Sequence, residues 1–368
     1  PNGTSDNPSP IVYYKCLNTC APIYTNSTAE ASQIEHNYVD GICTNNCGVP
    51  SKNGSYYQIY DKAQLLTFAE YAKNCTSSYS GYVYANLMAD IDLSSIDNWR
   101  PIGNTSSSEY NGYFNGNGHT ISGIKCEADE AGFLGNLNFG SINGLRVVDS
   151  YFKGRSYCGT ITAKIDFGTV SNCYSDATIQ GLTDNTKVCG IAYVYFNSGS
   201  VRNCLANVNI SENSKGDHYG IADKYIKSSF YIINSNPSNV AVKEGYAKIA
   251  SNEDIASGKI TYLLNDKSTS SSVKWRQTIG AKDSMPNNTS VGDIVYAMYK
   301  NSCIPTYVND SKLSGYSSTP VHNFINGICE YGCNTPEKIN DVYQIYNSAQ
   351  LLAFAEYSKD CGSSSNVN

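Results

Sequence analysis

The sequence predicts a mostly β protein, a parallel β-solenoid whose coils are 27 to 31 residues long. Two observations carry that expectation. Between Gly112 and Ser235 an apolar glycine segment recurs, as Ala131-Gly132-Phe133-Leu134-Gly135, Tyr157-Cys158-Gly159-Thr160-Ile161, Val188-Cys189-Gly190-Ile191-Ala192 and Tyr219-Gly220-Ile221-Ala222. Each is followed by a turn into a second apolar run: Gly140-Ser141-Ile142, Gly168-Thr169-Val170-Ser171-Asn172-Cys173, Gly199-Ser200-Val201-Arg202-Asn203-Cys204, and a degenerate Ile232-Ile233-Asn234-Ser235. A fixed period of this size marks an array in which no unit buries its apolar face alone and stacking supplies the core. The runs are also short, β-branched or aromatic, and bounded by Gly, Asn or Ser, which makes the coils strand and turn rather than helix pairs.

In chain order, residues 1–55 read as a Cys-rich connector carrying Cys16, Cys20, Cys43 and Cys47. Residues 56–80 hold Asp61-Lys62-Ala63-Gln64-Leu65-Leu66-Thr67-Phe68-Ala69-Glu70-Tyr71-Ala72-Lys73. Their apolar spacing of three and four, with Asp61 as N-cap, predicts an amphipathic helix. Placed before a solenoid, it is expected to cover the open end of the first coil, whose strand edges would otherwise pair with any neighbour. The coils occupy 81–245. Residues 246–300 form a closing segment, in which Ser251-Asn252-Glu253-Asp254 leads a short helix through Ile255, Ile260, Leu263 and Leu264. Residues 301–342 repeat the first connector and 343–368 restart the module. Gly327-Ile328-Cys329 and Cys333 match Gly41-Ile42-Cys43 and Cys47, and Tyr343 to Cys361 match Tyr57 to Cys75, at an offset of 286 throughout. Cys303-Ile304-Pro305-Thr306-Tyr307 echoes Cys20-Ala21-Pro22-Ile23-Tyr24 at 283. The restart, with no initiator Met or signal peptide at Pro1, suggests a segment of a longer array of like modules.

Several of these stretches carry a family likeness. Gly112-Tyr113-Phe114-Asn115-Gly116-Asn117-Gly118-His119-Thr120-Ile121-Ser122-Gly123, the Gly-Phe-Leu-Gly that follows and the repeated Gly-x-Val-x-Asn-Cys resemble the GLUG-repeat β-solenoid of microbial surface proteins. The lead-in Ala89-Asp90-Ile91-Asp92-Leu93 with Trp99-Arg100-Pro101-Ile102-Gly103, and the closing Trp275-Arg276-Gln277-Thr278-Ile279-Gly280, are similar too. The likeness covers roughly residues 56 to 300. It departs from the pattern where the second glycine of Val-Gly-Gly is missing and Cys158 or Cys189 precedes the first. It implies a right-handed β-helix on a cell surface.

The 14 cysteines suit an oxidising compartment. Aligning the coils places Cys158 with Cys189 between Ala131 and Tyr219, and Cys173 with Cys204 between Leu145 and Ser235. In-register strands lie ~4.8 Å apart, inside the Cα window of a disulfide. The pairs Cys158–Cys189 and Cys173–Cys204 are therefore expected as disulfides, with a ladder of buried thiols as the alternative. In the connectors the first choice is Cys20–Cys43 with Cys47–Cys75, repeated as Cys303–Cys329 with Cys333–Cys361, although four cysteines allow three pairings. Cys16 and Cys126 are left to each other. The CxxxC spacings would also suit zinc, but no His stands out at ligand spacing, and zinc is set aside.

The net charge of −6 argues against nucleic acid and anionic membrane as partners, and no apolar run is long enough to span a bilayer. Charged residues are only 16%, while Tyr reaches 31 copies. Tyr is a good strand residue with a wet tip, and exposed Tyr stripes also stack on sugar rings. Sequons stand at Asn2, Asn26, Asn53, Asn74, Asn104, Asn209, Asn287, Asn288 and Asn309, and permit N-glycosylation. Asp90 and Asp92 alternate onto one strand face, which is either wet or a Ca²⁺ site completed by other oxygens. Of the histidines His36, His119, His218 and His322, His119 opens the first coil and is expected to bond backbone. No nucleophile shows a His partner, and no pair of glycosidase carboxylates stands out. The expectation is a non-enzymatic structural repeat protein of an extracellular fibre, its partners being copies of itself; a polysaccharide-binding adhesin is the competing class.

Overall fold

A computed structural model of the chain describes residues 13–16, 22–25, 37–44, 47–73, 82–104, 109–235, 242–243, 247–282 and 284–359. These form two compact units, one of residues 1–251 with 287–290, the other of 252–286 with 291–368.

The first unit is a parallel β-solenoid of about six turns. One sheet stacks, in spatial order, Tyr56–Ile59, Tyr84–Leu87, Tyr113–Asn115, Leu134–Asn143, Thr162–Ser171, Tyr193–Arg202 and Ile226–Lys227, with Ser51–Asn53 antiparallel at its edge. The other coil faces are built around the 14-residue strand Arg146–Gly159. Its first part pairs with Thr120–Ser122 and Tyr174–Gly181, its last part with Ala131 and Lys187–Cys189. The path from Tyr174–Gly181 continues through Leu205–Ile210 and Phe230–Ser235 to Lys248–Ile249.

The repeated residues have identifiable work. A Cβ on Gly140 would lie 2.0 Å from the Gly112 carbonyl oxygen, and one on Gly168 would lie 2.6 Å from that of Gly140. Glycine recurs there because the coil beneath leaves no room. The asparagines that follow, Asn172 and Asn203, both hold φ 53°, the left-handed region that Asn tolerates. Between these corners Ile142, Val170 and Val201 stack in the interior, fully buried, as do Leu137, Ile165 and Val194. Each such side chain contributes about 1.5–3 kcal/mol of burial.

The fourth coil corrects the alignment made from sequence. Val201 pairs with Ile226 and Arg202 with Lys227, so Ser228, at φ 46°, takes the corner. Ile232-Ile233-Asn234-Ser235 instead lies inside a strand. A polar corner without Asn carried too little signal to be placed. The coil interval falls from 31 residues (Tyr174 to Leu205) to 25 (Leu205 to Phe230) and 18 (Phe230 to Lys248).

Helix α1 spans Lys62–Lys73, and Asp61 caps it by accepting the Gln64 N–H at 2.8 Å, as expected. It buries Leu65, Phe68, Ala69 and Ala72. The Phe68 ring meets Tyr57, Tyr110 and Phe114 at 5.9–6.4 Å.

In the second unit the expected closing helix is broken in two, α2 (Asn252–Ala256) and α3 (Lys259–Leu264). Gly258 between them stands at φ 88°, and a Cβ there would lie 2.6 Å from Ile279. Ile255, Ile260 and Leu264 are buried with Trp275, Ile294, Val295 and Val308. Gln277 ties this core, donating to the Ile255 carbonyl and accepting from Thr261. Helix α4 (Ser348–Lys359) then repeats α1. Asn347 caps Gln350 at 2.8 Å as Asp61 caps Gln64, and Gln350 donates to the Gly327 carbonyl at 2.8 Å as Gln64 does to Gly41. A Cβ on Gly41 or Gly327 would strike Tyr60 or Tyr346, each in its own copy. The copies differ on the apolar helix face: Leu65 is fully buried, whereas its counterpart Leu351 is 54% exposed and Leu352 69%.

Candidate functional site

The cysteine columns differ from expectation. Cys158 stands opposite Val188, and Cys189 opposite Gly159 and Tyr219, because residues 159–189 are one short of the assumed register. A one-residue slip removes the in-line stacking that a Cys158–Cys189 disulfide requires. Cys173 and Cys204 do share a column, whose next member is Ser229 and not Ser235. Each side chain in it donates to the carbonyl two residues back, Cys173 to Ser171, Cys204 to Arg202 and Ser229 to Lys227. The Cys173 N–H points at the Cys204 sulfur, and the Cys204 N–H at Ser229 Oγ. These are thiols used as corner hydrogen-bond groups, and no Cys173–Cys204 bond is present. Burial pushes the Cys126 and Cys158 thiols up to about 12 and raises Cys189 and Cys204 well above their ordinary value. Cys303 and Cys329 are likewise unbonded, their sulfurs 3.4 Å apart. The pairs Cys20–Cys43, Cys47–Cys75, Cys333–Cys361 and Cys16–Cys126 each include a residue outside those whose side chains are described.

Among the sequons, Asn53 is exposed at a hairpin end and Asn104 is half-buried. Asn209 donates to Thr178 Oγ1. Asn288 and Asn309 are corrected as acceptors, being 3% and 1% exposed. Asn288 bridges Arg146 and the Asn172 carbonyl, and Asn309 bridges Ile279 and Gln277. Asn287 accepts from Thr289 in a local turn. Asn2, Asn26 and Asn74 lie outside the described residues. Asp90 and Asp92 are both exposed, as alternation implied, and each serves a turn. Asp90 accepts the Thr120 N–H and faces His119 Nδ1 at 3.3 Å, while Asp92 accepts from Ser94. His218 is buried, with Nε2 2.7 Å from Ser214 Oγ, but that hydroxyl also accepts the Gly181 N–H and fastens a turn.

One cluster was not foreseen. On the first sheet, Lys164 Nζ lies 3.4 Å from Glu130 and 3.5 Å from Asp166. Asn136 donates to Glu109 and Asp166, and Asn138 to Glu109. Burial raises the Glu130 carboxyl against the pull of Lys164. Burial opposes the Lys164 ammonium too, yet Glu130 and Asp166 outweigh it and hold its pKa above the usual value. Oxygens of Asn136, Asn138 and Asp166 remain buried without a hydrogen-bond partner among the described residues. Tyr157 and Tyr195 flank the cluster, with Lys164 over both rings. Tyr195 and Phe196, each 45% exposed, lead into a stack of Phe139, Phe167 and Phe196 at 4.8 and 5.3 Å. A second ladder, Tyr56, Tyr84 and Tyr113, stands on earlier strands of the sheet. On another face a shallow groove of about 430 Å³ is lined by Asp149, Tyr151, Asp176, Thr178 and Asn209. The cluster has a readable signal, since Glu109, Asn136 and Asp166 recur at coil spacing, each just before an apolar or aromatic residue (Tyr110, Leu137, Phe167).

Among the described residues the grouping able to hold a metal is Cys303, His322, Cys329 and Cys333, which does not include Asp90 or Asp92. His322 repeats His36 at the same offset of 286, a recurrence visible between the two connectors and not from ligand spacing within one.

No family model matches the chain. Halomucin of Haloquadratum walsbyi is 32% identical over 117 residues, which is 28% of this chain, and the chain spans about 1% of halomucin's length. A solved structure from Bacteroides ovatus, named as a candidate immunoglobulin A1 protease, aligns with 65% of this chain and 94% of its own at 16% identity and TM-score 0.42. Among the described residues, no helix is long and apolar enough to cross a membrane.

Proposed function

We propose that the chain is a structural tandem-repeat protein of an extracellular surface, solenoid modules being joined through Cys-rich connectors into a fibre. The observation that carries this reading is the pair of like helices in unlike settings. In the first copy a solenoid buries Leu65; in the second the same junction of Tyr346, Gln350 and Gly327 is built and Leu351 is left wet. A further solenoid module is the occupant that fits, because the first copy shows what this face packs against. The local likeness to a protein named as a mucin supports a surface setting, and the sequence resemblance to GLUG-repeat proteins points the same way. Electron microscopy of two or more joined modules tests it. At ~4.8 Å per coil, a module with its connector advances on the order of 50 Å, and rods with that regular axial repeat are expected. Beads swinging freely on their connectors would sink the fibre.

The second reading, an adhesin, is favoured by Tyr195 and Phe196 beside the Lys164 carboxylate cluster, since aromatic faces next to carboxylates suit sugar rings and hydroxyls. Glycan-array binding that disappears in Tyr195→Ala would establish it. Chemistry is not part of either reading.

A further inference from the structure

The second connector folds around four side chains that the coils do not use. Three sulfurs and an imidazole nitrogen, from Cys303, Cys329, Cys333 and His322, all lie within 4.8 Å of one another. The Cys303 and Cys329 sulfurs are 3.4 Å apart, and His322 Nδ1 is 3.3 Å from Cys333 Sγ and 3.7 Å from Cys329 Sγ. With Zn–S near 2.3 Å and Zn–N near 2.0 Å, tetrahedral ligand atoms stand about 3.5–3.8 Å apart. A disulfide needs its sulfurs at about 2.05 Å. We propose that Cys303, His322, Cys329 and Cys333 bind one zinc ion in a closed Cys₃His site.

The backbone is shaped for this. Cys329 ends a hairpin of Phe324–Ile325 and Ile328–Cys329, turned by Asn326 at φ 51° and Gly327 at φ 76°. Gly332, at φ 75°, donates to the Cys329 carbonyl and swings Cys333 back beside it. The His322 ring stacks on Phe324 at 5.5 Å, which fixes its plane while Nδ1 faces the sulfurs. Cys303 and Cys329 are 7% and 2% exposed, and His322 and Cys333 are half-buried, so the site is partly withdrawn from water.

Donor chemistry selects the metal. Three thiolates and an imidazole suit zinc and not the oxygen-seeking Ca²⁺ or Mg²⁺. Four protein ligands fill the tetrahedron and leave no open position, so the ion is structural. Binding displaces the thiol protons of the three cysteines to solvent, leaves the imidazole neutral, and involves no change of oxidation state.

The sequence supplies an independent argument. His322, Cys329 and Cys333 repeat His36, Cys43 and Cys47 at 286, and Cys303 repeats Cys20 at 283. Disulfides would need only the cysteines to recur; the histidine recurs with them. Cys20 and His36 lie outside the described residues, so the site proposed is the one in the second connector. This replaces both the Cys303–Cys329 disulfide and the setting aside of zinc.

The test uses the full 368-residue chain, purified reduced and metal-free, loaded with Zn²⁺ and desalted. Metal content is measured beside His322→Ala and Cys333→Ser, each expected to carry one equivalent less than the parent. Co²⁺ in place of zinc should give thiolate charge-transfer bands and the intense visible bands of a tetrahedral site, reduced in both variants. Amide exchange across residues 134–210 checks that the variants keep the solenoid. Unchanged metal content in the variants, or a disulfide joining any two of the three cysteines in native secreted material, overturns the proposal.

Discussion

Corner residues turn the chain from one coil face to the next, and they are where single substitutions should be most informative. Asn203 holds φ 53°, a conformation that costs most side chains about 1–2 kcal/mol. Asn203→Ala should lower stability by at least roughly that amount, and by more than Asn203→Gly, read from chemical denaturation. In the column Cys173, Cys204, Ser229, nature has already placed a hydroxyl where a thiol could stand. Cys204→Ser is therefore expected to cost about 1 kcal/mol or less, against 2–5 kcal/mol for a change that empties a buried site. A measured cost near the upper figure would mean the sulfur is valued for bulk rather than for its hydrogen bond. His218 gives the pH dependence. Burial lowers its folded pKa below the ordinary histidine value of about 6.5. The folded state thus holds this proton less tightly than the unfolded chain, so its share of stability is full above about 6.5 and is lost as pH falls toward the folded pKa. The slope there is at most one proton, about 1.4 kcal/mol per pH unit. His218→Asn should flatten it.

At the scale of elements, legibility follows periodicity. The α1 pattern of Leu65, Phe68, Ala69 and Ala72 and its Asp61 cap could be read because a helix face and a cap are local signals. The long strands were legible for the same reason, as repeated glycine and β-branched runs. Register was not. The slip that separates Cys158 from Cys189 arises because strands of unequal connection length pair by backbone hydrogen bonds, and one residue more or less leaves composition unchanged. The closing helix divides at Gly258, whose φ of 88° is not helical, and Ile279 fills the space a side chain there would need. The Glu109, Glu130, Lys164 and Asp166 cluster is drawn from separate coil segments, and only Lys164 and Asp166, two apart on one strand, are close in sequence, so its signal lies in the coil period and not in a local motif. The two helices also furnish a clean comparison. Leu65→Ala should cost about 2–5 kcal/mol, while Leu351→Ala, at a 54% exposed site, should fall within about 0.5 kcal/mol of the parent. Equal losses would mean that α4 is covered in solution.

Over the whole first unit, each coil touches only its neighbours, so stability is close to a sum of coil and interface contributions. The shortening intervals between Leu205, Phe230 and Lys248 leave fewer paired residues per turn. Amides of residues 230–235 should therefore exchange before those of 205–210, and both before those of 134–181; uniform exchange would show a single cooperative block instead. Tapering also gives the stack a mechanical direction. Pulled from the narrow side, it would peel one short turn at a time at low force, whereas pulled from the α1 side it must first extract Phe68 from among Tyr57, Tyr110 and Phe114. In a rod of such pieces every module bears the same tension at both of its ends, so each should yield from its short-turned end while its α1 end holds.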